Sequence, residues 1–458
     1  MALELSGLIV VNIAYALVGA AAFVGAGWVT DDPSTWRRLG AAYLFGLVLL
    51  VVPASYLALL GIPVGLSAAV IGVAVLGFGG WRVRRLVWPG LPKIRRPTLD
   101  AAAGAGLGVV TLILLVYATR AFLVRPLIDW DSWAIWAVKA RLLYEDHSAA
   151  PVALRSGLYG QTPYPLGLPT IQALGFGAMG RFDGTLIGAQ FIGLAYGFAA
   201  ALWSLLDRRA RPTAIGLALL AILAAPQVLY QLITHYADVP LGFFVGLGVA
   251  AGAAWTSRVD HDHWLLACFV AFLAMAGLTK SEGLLFAAAG AVALVIAQIG
   301  PDWRSRARPA LIAVGALAAT LLPWRIYCSA YGLTTPDYDL GNALRPGYLH
   351  THSGRLHPVL HELWHQLETT QNWGWLVLAT GLGLLAGLLH RRWRVSVFAS
   401  VWLALASGGL ILTYWISTLP TENNLTNSSF RTIVSLLIGA AVLLPLLIAP
   451  LEQGSRTQ

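Results

Sequence analysis

The 458-residue chain is 58% hydrophobic and 11% charged, with a mean hydropathy of +0.71, well outside the range of soluble globular domains. Its formal net charge is +9, but the basic residues are dispersed among short segments between apolar runs, which excludes a nucleic-acid partner and leaves the lipid bilayer as the environment. Cys268 and Cys328 both lie in or beside apolar runs, so no disulfide framework is implied.

A bilayer crossing needs roughly 17–25 apolar residues. Thirteen runs approach that length: 5–29, 39–60, 62–80, 101–124, 184–206, 213–231, 239–256, 264–279, 283–299, 310–328, 373–390, 395–416 and 431–449. They are continuous rather than alternating, which predicts an all-α polytopic protein of about thirteen transmembrane helices rather than a barrel. The first run lacks a basic flank and a cleavage site, and is read as a helix rather than a signal peptide. Alternate loops hold 19 of the 30 Lys and Arg residues, which places those loops in the cytoplasm, the N-terminus outside and the C-terminus inside. Segments 125–183, 231–238, 279–283, 329–372 and 417–430 then share the non-cytoplasmic face, where the remaining cations need anionic partners.

Residues 1–97 read as three accessory helices ending in the basic stretch Trp81 to Pro97, stopped by Pro89, Pro92 and Pro97. Helix 101–124 leads into the densest polar segment of the chain. Asp129-Trp130-Asp131-Ser132-Trp133-Ala134-Ile135-Trp136-Ala137-Val138-Lys139-Ala140-Arg141 gathers two carboxylates, two cations and three tryptophans. Charges at the mouth of a membrane helix point to a functional site. The alternative is an interfacial helix, with Trp130, Trp133 and Trp136 on one stripe among the lipid headgroups. Tyr164-Pro165-Leu166 opens a short apolar stretch to Met179, ended by Gly180 and read as a half-helix.

Tyr236-Ala237-Asp238-Val239-Pro240 opens the seventh run, where Asp238 either caps exposed amides or enters the site. Thr279-Lys280-Ser281-Glu282-Gly283 interrupts an otherwise unbroken apolar stretch. There Lys280 and Glu282 either pair with each other or hold a phosphate. His361-Glu362-Leu363-Trp364-His365 matches a zinc-binding pattern, making His361 and His365 the metal candidates. The segment has no evident third ligand, and 357–370 also reads as an amphipathic helix along the membrane. Arg431 opens the last run with a side chain suited to forked contact with phosphate.

Taken in order, Asp131, Tyr164-Pro165-Leu166, Tyr236-Ala237-Asp238-Val239-Pro240, Leu278-Thr279-Lys280 and Arg431 resemble the polytopic glycosyltransferases of the GT-C fold, which include protein mannosyltransferases and the aminoarabinose transferase of lipid A. The resemblance covers roughly 101–450. It implies a catalytic transmembrane core over 98–450, with external loops 125–183 and 329–372 carrying interfacial helices, followed by a cytoplasmic tail at 451–458. It also implies a bacterial inner (plasma) membrane protein that moves a sugar from a polyprenyl-phosphate donor to a lipid, glycan or protein hydroxyl on the periplasmic or extracellular face, with inversion. Asp131 matches the family's acidic base, with Asp129 as the second candidate, and Asp238 would orient the acceptor or a cation. Lys280 and Arg431 would hold the donor phosphate, and Tyr164, Tyr236 and Glu282 would complete the substrate site. Lys139 joins them on its position alone. Trp130-Asp131-Ser132 replaces the family's usual Asp-Glu pair, which leaves dependence on a divalent cation open.

Two other classes stay in play. A secondary transporter would carry ionisable residues near the midplane and show two related halves; here the charges gather at one face and no repeat is visible. A lipid-linked glycan ligase or polymerase would also need external cations. A metalloprotease built on His361 and His365 is the weakest alternative.

Overall fold

In the computed structural model, which describes residues 2–86, 98–156, 161–257, 262–300, 303–335, 337, 339–389 and 393–449, the regular structure is helical. Four long helices come first: α1 (Ala2–Gly25), α2 (Ala42–Ala58), α3 (Val64–Val83) and α4 (Leu99–Phe122). The first long connection forms a π-helical turn (Ser132–Ala137), α5 (Val138–Glu145), α6 (Ala150–Arg155) and α7 (Gly167–Met179). Then follow α8 (Gly188–Leu206), α9 (Pro212–Leu223), α10 (Pro226–Ile233), α11 (Asp238–Thr256), α12 (His263–Thr279), α13 (Glu282–Ile296) and α14 (Trp303–Ala330). The second long connection holds α15 (Pro346–Thr351), α16 (Leu356–Glu368) and α17 (Thr370–Trp373). The chain closes with α18 (Leu376–Leu389), α19 (Trp393–Trp415), α20 (Thr421–Ala441) and α21 (Leu444–Leu447).

Each of the thirteen apolar runs contains a helix, but the helices differ in reach. Among the described residues nine are long and apolar enough to cross a membrane, or ten if α9 and α10, bent by 58°, form one span. The bend falls at Pro226, which has no amide to continue the α9 ladder. The apolar helices α12, α13 and α18 are shorter. The polar turn at Lys280 and Ser281 is what divides α12 from α13, and it is a close one: a Cβ on Gly283 would lie 1.9 Å from the Ala276 carbonyl oxygen. Only glycine allows that approach. The basic, proline-punctuated residues 87–97, Arg258, Arg391, Arg392 and the tail 451–458 lie outside the described residues.

The bundle is organised around α11, whose whole length is buried, whereas only 22% to 28% of the apolar stretch of α1, α3, α4 and α14 is buried. Those four helices turn apolar side chains outward, as a helix bordered by lipid does. α11 packs on α12 and α20. Three of the charged loops meet at one end of the bundle. There Arg37 pairs with Asp207 at 3.0 Å, and Arg38 and Arg209 both reach Asp262. At the other end lie the acidic and basic residues of the first long connection, the α12–α13 turn and the first half of α20; that helix begins at Thr421, so Arg431 lies within it rather than opening it.

The short helix expected from Leu166 to Met179 forms as α7, ended by Gly180 at φ +74°. The tryptophan stripe does not form. The Val138 amide donates to the Trp133 carbonyl five residues back, and this wider turn breaks the regular spacing. Trp130 and Trp133 stay exposed, in edge-to-face contact at 5.1 Å, while Trp136 is fully buried and stacks on Tyr164 at 5.4 Å.

Candidate functional site

Four segments far apart in sequence meet at one end of the bundle. The π-helical turn brings Asp131, the start of α11 brings Asp238, the extended residue between α12 and α13 brings Lys280, and α20 brings Arg431. Arg431 donates through Nη2 to Asp131 and, at 3.3 Å, to Asp238. The Lys280 ammonium lies 2.8 Å from the other Asp238 oxygen and 2.9 Å from Glu282. Asp238 is thus shared between two cations, and each cation has a second carboxylate. A buried charge is expensive unless paired on this scale, at several kcal/mol per ion. Asp238 is 1% exposed.

The helix-capping role for Asp238 is not what forms. Its side chain faces Lys280 and Arg431, and no side chain caps α11. The turn before it is set by His235, in the left-handed region at φ +59°, which lets α10 end and α11 begin within a few residues. Tyr236 from this turn lies flat under Arg431, with the guanidinium carbon 4.2 Å from the ring centre. Partial burial raises the Tyr236 pKa against the opposing pull of Arg431, so the ring stays a neutral phenol. Burial opposes the charge on Lys280, yet Asp238 and Glu282 outweigh it and hold the pKa well above the ordinary lysine value. The Lys280–Glu282 pairing read from the sequence is therefore present, together with a second partner.

The cluster borders a cavity of about 690 Å³. Asp131, Lys280, Glu282 and Arg431 face it; Asp238 lies behind them. Apolar side chains also line it, among them Trp133, Ile135, Val138 and Leu410. A lining that combines charged and apolar side chains suits an amphiphile with a charged head.

Lys139 does not reach the cavity. It is fully buried and donates to two carbonyls, Gln161 at 2.6 Å and Tyr164 at 3.2 Å. Burial lowers its pKa to about 7. Its place is behind the wall: it ties down the Gln161–Tyr164 segment, whose side chains do line the cavity. Pro163 in the same segment accepts from the Trp324 indole at 3.2 Å. A Cβ on Gly167 would lie 2.4 Å from the Leu278 carbonyl, so the start of α7 is pressed against the end of α12 just before Lys280.

Asp129 also stands apart. Its carboxylate takes Arg125 at 2.9 Å, four residues back, and it does not line the cavity. The α16 histidines point elsewhere again. His361 and His365 are exposed, His365 sits 3.3 Å from Glu368, and Glu362 accepts from Gln366 and from Ser429 of α20. Among the described residues no three His, Cys, Asp or Glu side chains group as metal ligands. Each carboxylate of the cavity cluster already faces a cation, so the residues present do not fit a divalent ion.

Several cavity residues were not singled out by sequence. Asp337 accepts from the Gln161 amide at 3.0 Å, and its backbone carbonyl takes Ser417 and Thr418. Asn424, Asn427 and Ser428 of α20 line the rim, and Tyr414 bonds to Ser428 and Thr432 at 3.0 and 2.8 Å. The available signal was the spacing of Asn424, Asn427 and Ser428 with Arg431, which puts all four on neighbouring turns of one helix face. No family model, no curated protein and no solved structure matches the chain.

Proposed function

We propose that the protein is a membrane glycosyltransferase that moves a sugar from a polyprenyl-phosphate donor to a hydroxyl acceptor, with inversion at the anomeric carbon. In this reading the chain crosses a bacterial inner membrane thirteen times and the cavity opens on the non-cytoplasmic face. Asp131 removes the acceptor hydroxyl proton while the acceptor oxygen bonds to the anomeric carbon. The bond from that carbon to the phosphate oxygen breaks, and its electron pair leaves on the polyprenyl phosphate. Arg431 and Lys280 neutralise the phosphate, and the apolar lining residues take the first isoprene units.

One observation carries this: a carboxylate and two cations from segments up to 300 residues apart meet at a cavity lined by both charged and apolar side chains. The resemblance to GT-C enzymes supplies the reaction class, and the geometry is compatible with it. The test is to incubate the purified protein with a panel of radiolabelled polyprenyl-phosphate sugars and an extract of acceptors. Loss of sugar from one donor, absent in Asp131→Asn, is the expected outcome; no loss from any donor would count against this activity.

A further inference from the structure

The two cations that this reading assigns to the donor phosphate are both occupied. Arg431 holds Asp131 and Asp238, and Lys280 holds Asp238 and Glu282. The three carboxylates are not equivalent. Asp238 is 1% exposed and sits behind the cavity, whereas Asp131 and Glu282 face it with 16% and 12% of their side chains exposed. Each cation therefore has one fixed anion and one anion on the cavity side, where a ligand would enter. With Asp131 and Glu282 ionised the five groups sum to one negative charge, so an incoming anion is repelled unless a carboxylate gives way. Spare bonding capacity is present on both sides of the exchange: the Arg431 Nε donor and the Glu282 Oε2 acceptor are buried without a hydrogen-bond partner.

We propose that Asp131 and Glu282 are placeholders for the donor phosphate, occupying Arg431 and Lys280 in the resting site and yielding them when phosphate arrives. This rests on the transferase reading and adds the coupling between its two halves. The Asp131 oxygen held by Arg431 has fewer lone pairs open to an acceptor proton, so donor binding is what frees the base. The charges then balance through the reaction. The donor is a phosphodiester with one negative charge, and the departing monoester carries up to about two. The proton taken from the acceptor neutralises Asp131 as the leaving phosphate gains that charge, so Arg431 changes partner while the cluster and the phosphate together keep their total charge. Asp238 stays in place throughout and keeps both cations from facing the membrane interior unpaired.

The placeholder role makes a prediction opposite in sign to that of an ordinary binding residue. Equilibrium binding of a radiolabelled short-chain polyprenyl phosphate to the full-length protein in detergent is the measurement. Asp131→Asn should bind about tenfold tighter and Glu282→Gln about threefold tighter, in the range of close charge pairs at partly buried sites. Asp337→Asn removes a cavity carboxylate that sits on neither cation, and should change binding least. In an Arg431→Lys background the gain from Asp131→Asn should shrink, because the shared fork is gone. Unchanged or weaker binding by both Asp131→Asn and Glu282→Gln, with the wild type binding normally, overturns the placeholder role alone. A gain as large in Asp337→Asn as in Asp131→Asn also overturns it, in favour of general repulsion. A folded wild type that binds no polyprenyl phosphate removes the transferase reading itself.

Discussion

The first long connection and α16 both carry a segment that looks catalytic in sequence, and they end in opposite situations. Asp131 of the π-helical turn reaches a guanidinium 300 residues away and joins a buried cluster. His361 and His365 of α16 stay exposed, with contacts to their own helix or none that would hold a metal. The HELWH pattern is the more specific string, yet the looser one assembles. What separates them is whether distant segments supply partners of opposite charge. The same lesson applies within two residues: Asp129 is satisfied locally by Arg125 and drops out of the cavity, while Asp131 has no local cation and is completed from α20.

Substitutions sharpen this contrast. The largest effect is expected for Asp131→Asn, which should lower turnover by about 10²–10⁴-fold, as for loss of a general base, while shifting stability by less than about 1 kcal/mol because Arg431 keeps Asp238. Single-turnover assays with thermal unfolding check both halves. Next, Lys280→Ala leaves Glu282 without its cation and Asp238 with Arg431 alone, and should destabilise the protein by about 3–5 kcal/mol; unfolding in detergent reads it directly. If stability holds, the cluster is not the keystone of that end of the bundle.

A third effect depends on pH. Burial lowers the Lys139 pKa to about 7 from 10.5. Below pH 7 the folded and unfolded chains both bind the proton; between about 7 and 10.5 only the unfolded chain does. Stability should therefore rise with pH across that window, by up to about 1.4 kcal/mol per unit. Lys139→Met should remove the rise, and a wild-type curve already parallel to the mutant's would show that Lys139 stays charged. Smaller still is Asp129→Asn, which loses one partly exposed i,i+4 pair and should cost roughly 0.5 kcal/mol. His361→Ala should be the mildest, within about 0.5 kcal/mol and with turnover unchanged; loss of activity there would reverse the contrast between the two regions.

Much of the architecture was legible because a bilayer imposes long apolar runs, and each run contains a helix. The grouping of loops by charge was equally readable, since Arg37, Arg38 and Arg209 do meet their acids at one end. Asp131, Asp238, Lys280, Glu282 and Arg431 could be nominated because a charge at a membrane helix end needs a reason. Their pairing could not, because it depends on tertiary approach: Lys139 and Lys280 look alike as isolated cations, yet one meets carbonyls and the other carboxylates. The π-helical register was hidden as well. Trp130, Trp133 and Trp136 satisfy a helical stripe on paper, whereas in the wider turn Trp136 is buried and stacks on Tyr164.

Asn427 lies exposed on the cavity rim, while the native Cys268 and Cys328 are buried. A single cysteine placed by Asn427→Cys can therefore be challenged with a membrane-impermeant maleimide from each side of sealed vesicles, with and without a polyprenyl phosphate. Modification from the non-cytoplasmic side, slowed by the lipid phosphate, is the predicted result. Modification only from the cytoplasmic side would contradict a donor site on the outer face.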